Sequence, residues 1–281
     1  MAANQPINLL FVLLKAQQAK AEIVCILNNR KIHFTVVGYR ILFCLLLWLM
    51  SVSLPAQSTK DAAIILGLDY GFQLPAGDLA DRFGTSFKTG GHLSFLPESS
   101  SWQYKLNGAF FFGNNVKEDV LSLLRTNEGF IIGNDRNPAD IQLRQRGIYL
   151  GLGASRVFPF SPDAPRTGLL VEFSGGFLQH RIRIQDDPQR SVPALLDDFK
   201  KGYDRLSNGL YSSQFLGYQQ LSGKINFYIG VEAIQGFTQN RRSFNYDTQM
   251  VDDGQRLDLM FGLKVGWILP FFLGDGSDIY Y

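Results

Sequence analysis

The chain has 281 residues, enough for one large domain or two small ones, and a formal charge of only +2. So weak an excess leaves no electrostatic footprint for a nucleic-acid partner. Both cysteines, Cys25 and Cys44, fall within the first 56 residues, so a chain processed there has no thiol for a disulfide or a thiolate metal site.

Residues 1–56 hold five basic side chains (Lys15, Lys20, Arg30, Lys31, Arg40) and one acid, Glu22. Taking these from 27 and 25 leaves 22 basic and 24 acidic residues in the remainder. Arg30, Lys31 and Arg40 precede an apolar run at 41–50, followed by Ser-Val-Ser-Leu-Pro-Ala at 51–56. A basic region, an apolar core and small residues in that order form a secretory signal peptide, with cleavage expected after Ala56. The core falls short of the roughly 20 residues a spanning helix needs. Cys44 lies inside the core instead of behind it, which argues against a lipoprotein. Residues 1–30 are read as the product of a start assigned too far upstream. The expected division is a leader at 1–56 and one domain at 57–281.

The domain reads as strands. Period-two alternation marks 63–73, where Leu66, Leu68, Tyr70 and Phe72 share one face. A turn-rich, polar-tipped connection follows at 75–84. The next strands are expected at 87–96 and 102–112, the latter with Trp102, Tyr104, Leu106, Phe110 and Phe112 on one face. A long polar segment at 114–146 includes a short helix over 120–124. Strands at 147–158 and 168–180 are separated by a rigid turn at 161–165. Another long polar connection leads to 210–220, whose two faces are not clearly different, and then to 225–237. After 240–255 comes the clearest strand, 257–269, with Leu257, Leu259, Phe261, Leu263, Val265, Trp267 and Leu269 at every odd position.

Thirteen alternating residues are about twice an ordinary strand and match a tilted strand crossing a bilayer. Eight strands, with the longer connections after the odd ones, give an all-β, eight-stranded antiparallel up-and-down transmembrane β-barrel. A soluble barrel would be apolar inside; here the apolar faces are assigned to lipid. Leu66, Leu68, Leu106, Phe173, Ile229, Leu259, Phe261, Leu263 and Val265 would face acyl chains. Tyr70, Trp102, Tyr104 and Trp267 would sit at the interfaces. Asp69, Lys88, His92, Lys105, Glu172, Glu232, Asp258 and Lys264 would point inward, with Glu172 and Glu232 paired to lysines because an isolated interior ion is costly. A filled interior is expected in preference to an ion path, since aqueous pores belong to wider barrels.

Catalysis is not expected. Residues 57–281 hold two histidines, His92 and His180, and lack Gly-x-Ser-x-Gly, a zinc motif and a phosphate loop. No cofactor or metal is implied, and the acidic pairs Asp186-Asp187 and Asp252-Asp253 read as solvated turns. Arg181, Arg183, Arg241 and Arg242, just beyond strands five and seven, are candidate contacts for lipid phosphates.

The stretches 67–84, 237–246 and 262–270, within an overall match from 62 to 281, resemble the outer-membrane β-barrel proteins of Bacteroidota. The wider family includes small OmpA- or OmpX-like barrels and the PorT-like barrels of protein secretion. The chain departs from many of these in continuing past its last strand, through 270–281. The resemblance implies an outer-membrane location, long loops at the cell surface and both termini in the periplasm. The expected partners are outer-membrane lipids, including surface glycolipid, and proteins of a secretion or assembly complex. The expected role is an accessory or scaffold one, with a narrow channel or a lipid-modifying enzyme as the alternative.

Overall fold

The computed structural model describes residues 61–221 and 225–273. The expected leader, its cleavage site and Tyr281 lie outside those residues. Eight long strands occur where alternation places them: β1 Ala63–Gly77, β2 Ser86–Leu96, β3 Trp102–Gly113, β4 Gln142–Pro159, β5 Gly168–Gln185, β6 Ser207–Gln220, β7 Phe227–Asn240 and β8 Gln255–Phe272. Each pairs antiparallel with the next, and β8 returns to β1 over Ala63↔Phe272 to Gly77↔Asp258, closing the sheet. No helix among the described residues is long and apolar enough to span a membrane, which says nothing about strands.

The two faces of this cylinder sort as the alternation requires. Large apolar side chains are exposed on the outside of every strand, including Leu68, Leu93, Leu106, Leu152, Phe173, Leu210, Val231 and Leu263. The inward positions are buried and mixed in polarity. A soluble protein rarely exposes apolar patches of more than a few hundred Å². An apolar belt around a closed sheet is the outer surface of a transmembrane barrel.

Three features depart from the sequence reading. The segment 75–84 is no polar loop: β1 runs on to Gly77, and a five-residue helix, α1 (Asp78–Arg82), turns back over the barrel mouth. Gly77 takes φ 58°, and a Cβ there would lie 2.4 Å from the Leu257 carbonyl oxygen, so this turn needs glycine. Leu79, Arg82 and Phe83 are buried as a result. The short helix expected at 120–124 is a single 3₁₀ turn, Ser122–Leu124, and a two-strand ladder joins Ile131–Ile132 to Pro138–Ala139. With these boundaries the connections after β1, β3, β5 and β7 have 8, 28, 21 and 14 residues, and those after β2, β4 and β6 have 5, 8 and 6. The first long connection is thus no longer than the turn after β4.

The inside is filled in three layers. At the short-turn end Ile65, Leu96, Val157, Leu170, Phe215, Tyr228 and Ile268 pack together. Ionic side chains occupy the middle. Toward the long loops Phe111, Tyr149, Leu178, Ile182, Ile234 and Met260 form a second apolar layer, which Leu79, Phe83, Val120, Leu121, Ile131 and Leu195 of the loops join from above.

Glycine makes room for the largest of these groups. A Cβ on Gly266 would stand 2.2 Å from the Tyr228 ring. That ring has nowhere to go, with Phe215 at 5.6 Å and His92 at 5.7 Å between centroids. Gly266→Val is therefore expected to destabilise the barrel by about 1–3 kcal/mol, the usual cost of overpacking. Urea unfolding in lipid vesicles, followed by tryptophan fluorescence, measures this, and an unchanged midpoint would show that the interior is looser than described.

Candidate functional site

Six interior ionisable side chains, each on a different strand, share the middle layer. Lys88 of β2 donates to the Glu232 carboxylate of β7 and to the Tyr149 hydroxyl at 3.2 Å. Lys264 of β8 lies 3.0 Å from Glu232 and 3.6 Å from Glu172 of β5. Lys105 of β3 donates to Glu172 at 2.5 Å. Asp69 of β1 is buried beside them, giving three carboxylates to three ammonium groups. The expected pairing of Glu172 and Glu232 with Lys88, Lys105 and Lys264 is found. The Lys264 ammonium also lies 4.9 Å from the Phe215 ring centroid, and Lys105 lies 5.8 Å from that of Tyr228. His92 is in the same layer, against Tyr228.

Asp258 is inward as expected but belongs to a separate group nearer the loops. It accepts from Thr238 Oγ1 at 2.5 Å and bonds to His180 Nε2 at 2.7 Å. No local pattern marks this pair, whose members are 78 residues apart. His180 is buried, edge-on beneath Phe83 with 5.8 Å between ring centroids. An Asp–His pair packed this way orders the interior.

Removing one side of a buried ion pair leaves the other charged and unsolvated. Glu232→Leu removes the carboxylate that Lys88 pairs with and leaves Lys264 with Glu172 alone, at 3.6 Å, and is expected to cost about 3–5 kcal/mol, whereas Lys88→Met with Glu232→Leu recovers part of the loss. A double-mutant cycle of unfolding free energies tests this; additive losses would show that the two groups are not coupled.

At the long-loop end a second polar network ties four connections together. Glu118 accepts from Arg82 Nε at 2.7 Å through one oxygen and from Arg205 Nε at 2.7 Å through the other. Arg205 reaches Asp247 at 2.5 Å, and Arg82 Nη1 donates to Ser207 Oγ at 3.2 Å. Arg82, at the end of α1, and Arg205, in the connection after β5, are each only 3% exposed. A cleft of about 510 Å³ opens beside them, lined by Asp78, Asp81, Asn245, Thr248, Val251, Asp252 and Arg256 among others. Asp186 is exposed, in keeping with the sequence reading, and pairs with Lys200 at the surface, whereas Asp187 is half-buried and accepts from the backbone N–H groups of Asp140 and Gln189. No group of three or more metal-ligating side chains gathers among the described residues.

Burial raises the Glu118 carboxyl, but the Arg82 and Arg205 guanidinium groups outweigh it and hold the group below its ordinary 4.5. A lowered folded value means that the bridge stabilises the loops fully above pH 4.5, and that this contribution is lost as the pH falls through the folded value. Glu118→Gln should remove that pH dependence and speed amide exchange in 78–85 and 203–206 on the order of 10-fold near neutral pH, with the strands unchanged. Hydrogen exchange measured by mass spectrometry reads both; equal exchange in the loops would mean that the bridge holds nothing.

The outer surface carries the remaining candidates. Tyr70, Trp102, Tyr104 and Trp267 are all exposed on the outer wall. Arg156, at the short-turn rim, lies 5.5 Å over the Trp102 ring and 5.1 Å over that of Phe158. The assigned lipid-facing residues are exposed too, except Leu259, which is half-buried beside Gly77. Arg242 is not available for lipid: its guanidinium grips Asp204 through two bonds of 2.7 and 2.5 Å. Arg241 is exposed and donates to Asn208 at 2.6 Å. Arg181 and Arg183 point outward from the end of β5, opposite Arg146 and Arg144 of β4, which the sequence reading did not single out.

The belt has one break. Midway along β6 and β7, Ser212, Gln214 and Gln235 face outward among the lipid-facing residues. Ser212 Oγ and Gln214 Nε2 donate to Gln235 Oε1 at 2.9 and 3.1 Å, and Gln235 Nε2 donates to Gln214 Oε1 at 2.8 Å. Gly175, opposite Ser212, and Ala233, opposite Gln214, leave the surface around them shallow. This explains the weak alternation of β6: its outer face contains polar residues where the other strands have leucine or phenylalanine.

No family model matches the chain, and no curated protein matches it in sequence. Among solved structures it is similar to Neisserial surface protein A, at 10% identity and TM-score 0.39 over 74% of this chain and 99% of that one. It is similar to Ail, the attachment invasion locus protein of Yersinia pestis, at 12% identity and TM-score 0.38 over 75% and 100%. It is also similar to the outer membrane protein OprG from Pseudomonas aeruginosa, at 11% identity and TM-score 0.32 over 75% and 96%. At so low a likeness the transmembrane reading rests on the closed sheet, its apolar outside and its ionic inside.

Proposed function

We propose that this chain is a non-enzymatic integral outer-membrane barrel, acting as an accessory or scaffold subunit of a surface secretion or membrane-assembly complex. In this reading the long loops lie at the cell surface and both termini in the periplasm. The observation that carries it is the Ser212–Gln214–Gln235 patch. Acyl chains offer no hydrogen bonds, so a polar cluster flanked by glycine and alanine is better matched by another membrane protein than by lipid. Each glutamine amide uses one N–H within the cluster and keeps a second to offer outward. The three-layer filling of the interior favours binding over conduction, and the burial of the His180–Asp258 pair favours a structural over a catalytic role. The sequence resemblance to PorT-like barrels of Bacteroidota supports a place in secretion.

A photo-crosslinking residue at Gln235 should capture a specific membrane protein in whole cells, whereas one at Leu66, elsewhere on the belt, should not. Ser212→Ala, Gln214→Leu and Gln235→Leu together should reduce co-purification by about 10-fold, as loss of a few interhelical-type hydrogen bonds would, without loss of the folded barrel. Equal yields from Gln235 and Leu66 would contradict the proposal.

A further inference from the structure

Outward-facing residues of β4 run Arg144, Arg146, Ile148, Leu150, Leu152, and those of β5 run Phe173, Gly175, Phe177, Gln179, Arg181, Arg183. The register sets Arg146 opposite Arg181 and Arg144 opposite Arg183. Like charges directly opposite each other on one face of a sheet are destabilising. Two such pairs in succession form a ledge of four guanidinium groups, about 5 Å across and about 7 Å along the strands.

Carboxylates do little to neutralise it. Among the described residues none comes within 4.0 Å of Arg144, Arg146 or Arg183, and Arg181 meets Asp204 only at 4.0 Å. Both Asp204 oxygens already accept from Arg242. Arg144 is steadied by Asn114 at 3.3 Å and Gln142 at 2.7 Å, and Arg146 lies 5.9 Å over the Phe110 ring while donating to the Gln145 carbonyl at 2.6 Å. These contacts orient two guanidinium groups and leave their charge in place.

Position decides the kind of anion. Directly below the ledge the exposed Ile148, Leu150 and Phe177 begin the apolar belt. A ligand whose charge meets the arginines therefore has acyl-chain surface immediately beneath it. We propose that the β4–β5 ledge is a binding site for a phosphorylated lipid of the outer leaflet, its phosphate groups held by Arg144, Arg146, Arg181 and Arg183 and its acyl chains laid on β4 and β5. This rests on the membrane-barrel reading with the long loops facing outward, and it extends the lipid role expected of Arg181 and Arg183 to a four-residue site.

The full chain is reconstituted in phosphatidylcholine nanodiscs doped with diphosphoryl lipid A, monophosphoryl lipid A or a neutral glycolipid, and retained lipid is counted by native mass spectrometry. Expected retention follows phosphate number and falls with added salt. Changing all four arginines to glutamine should lower retention of the diphosphoryl lipid at least about 10-fold, since each basic residue near an anionic surface contributes on the order of 5-fold. Changing all four to lysine should recover part of it, and Arg156→Gln at the opposite rim should leave it unchanged. Inorganic phosphate at millimolar concentration should compete poorly, because it lacks the acyl chains. Insertion with equal retention of phosphorylated and neutral lipid, or full retention by the glutamine variant, overturns the ledge alone. Effective competition by inorganic phosphate overturns the choice of a lipid as its ligand. Failure of the parent chain to insert overturns the barrel reading and the ledge with it.

Discussion

A sheet placed in hydrocarbon must not leave backbone donors and acceptors bare, because each costs several kcal/mol where no water can reach it. The seam between β1 and β8 meets that constraint. It joins residues from opposite ends of the barrel sequence, from Ala63↔Phe272 to Gly77↔Asp258, and so removes both edges of the sheet. Once the seam is closed, a period of two leaves each side chain either lipid or the inside of a narrow cylinder. The outward leucines and phenylalanines and the inward ions follow from that division.

The inside then imposes its own demand. Lys88, Lys105 and Lys264 have little water to solvate them, so Glu172 and Glu232 must lie close by, on other strands. Tyr149, Phe215 and Tyr228 fill the space around the ions, and apolar layers close both ends. The long loops continue the same packing upward, with Phe83 and Leu121 seated on the upper layer and Glu118 joining Arg82 to Arg205. A cylinder stoppered at both ends leaves the outer wall and the loop surface for recognition. The glutamine patch and the arginine ledge both lie on that wall.

Alternation made the strands legible because it is local: Leu257 to Leu269 announces its two faces without reference to any other part of the chain. The interior ions were legible for the same reason, since an inward position follows from the parity of its neighbours. What escaped depends on contacts far apart in sequence. Leu79, Phe83, Val120, Leu121, Ile131 and Leu195 are single apolar residues in polar stretches, with no period to mark them as a cap. His180 and Asp258 meet only because the barrel closes. Arg144 and Arg146 fall in a polar stretch with no apolar alternation, and only the pairing of β4 from Gln142 onward sets them opposite Arg183 and Arg181. Arg242 looked exposed beside Arg241 until the fold brought Asp204 to it.

The central claim is that alternate side chains of one strand face acyl chains and a dry, ion-filled interior. Residues 57–281 contain no cysteine, so single cysteines can be introduced there for spin labelling. Labels placed one at a time from 261 to 267 of β8 in vesicle-inserted protein can be tested for access to molecular oxygen and to a water-soluble nickel complex. High oxygen access is expected at 261, 263 and 265, low access at 262 and 264, and little exposure to nickel at these five positions, whereas 267, at the interface, should admit nickel. Access to nickel at 261, 263 or 265, or no alternation with oxygen, would contradict the claim.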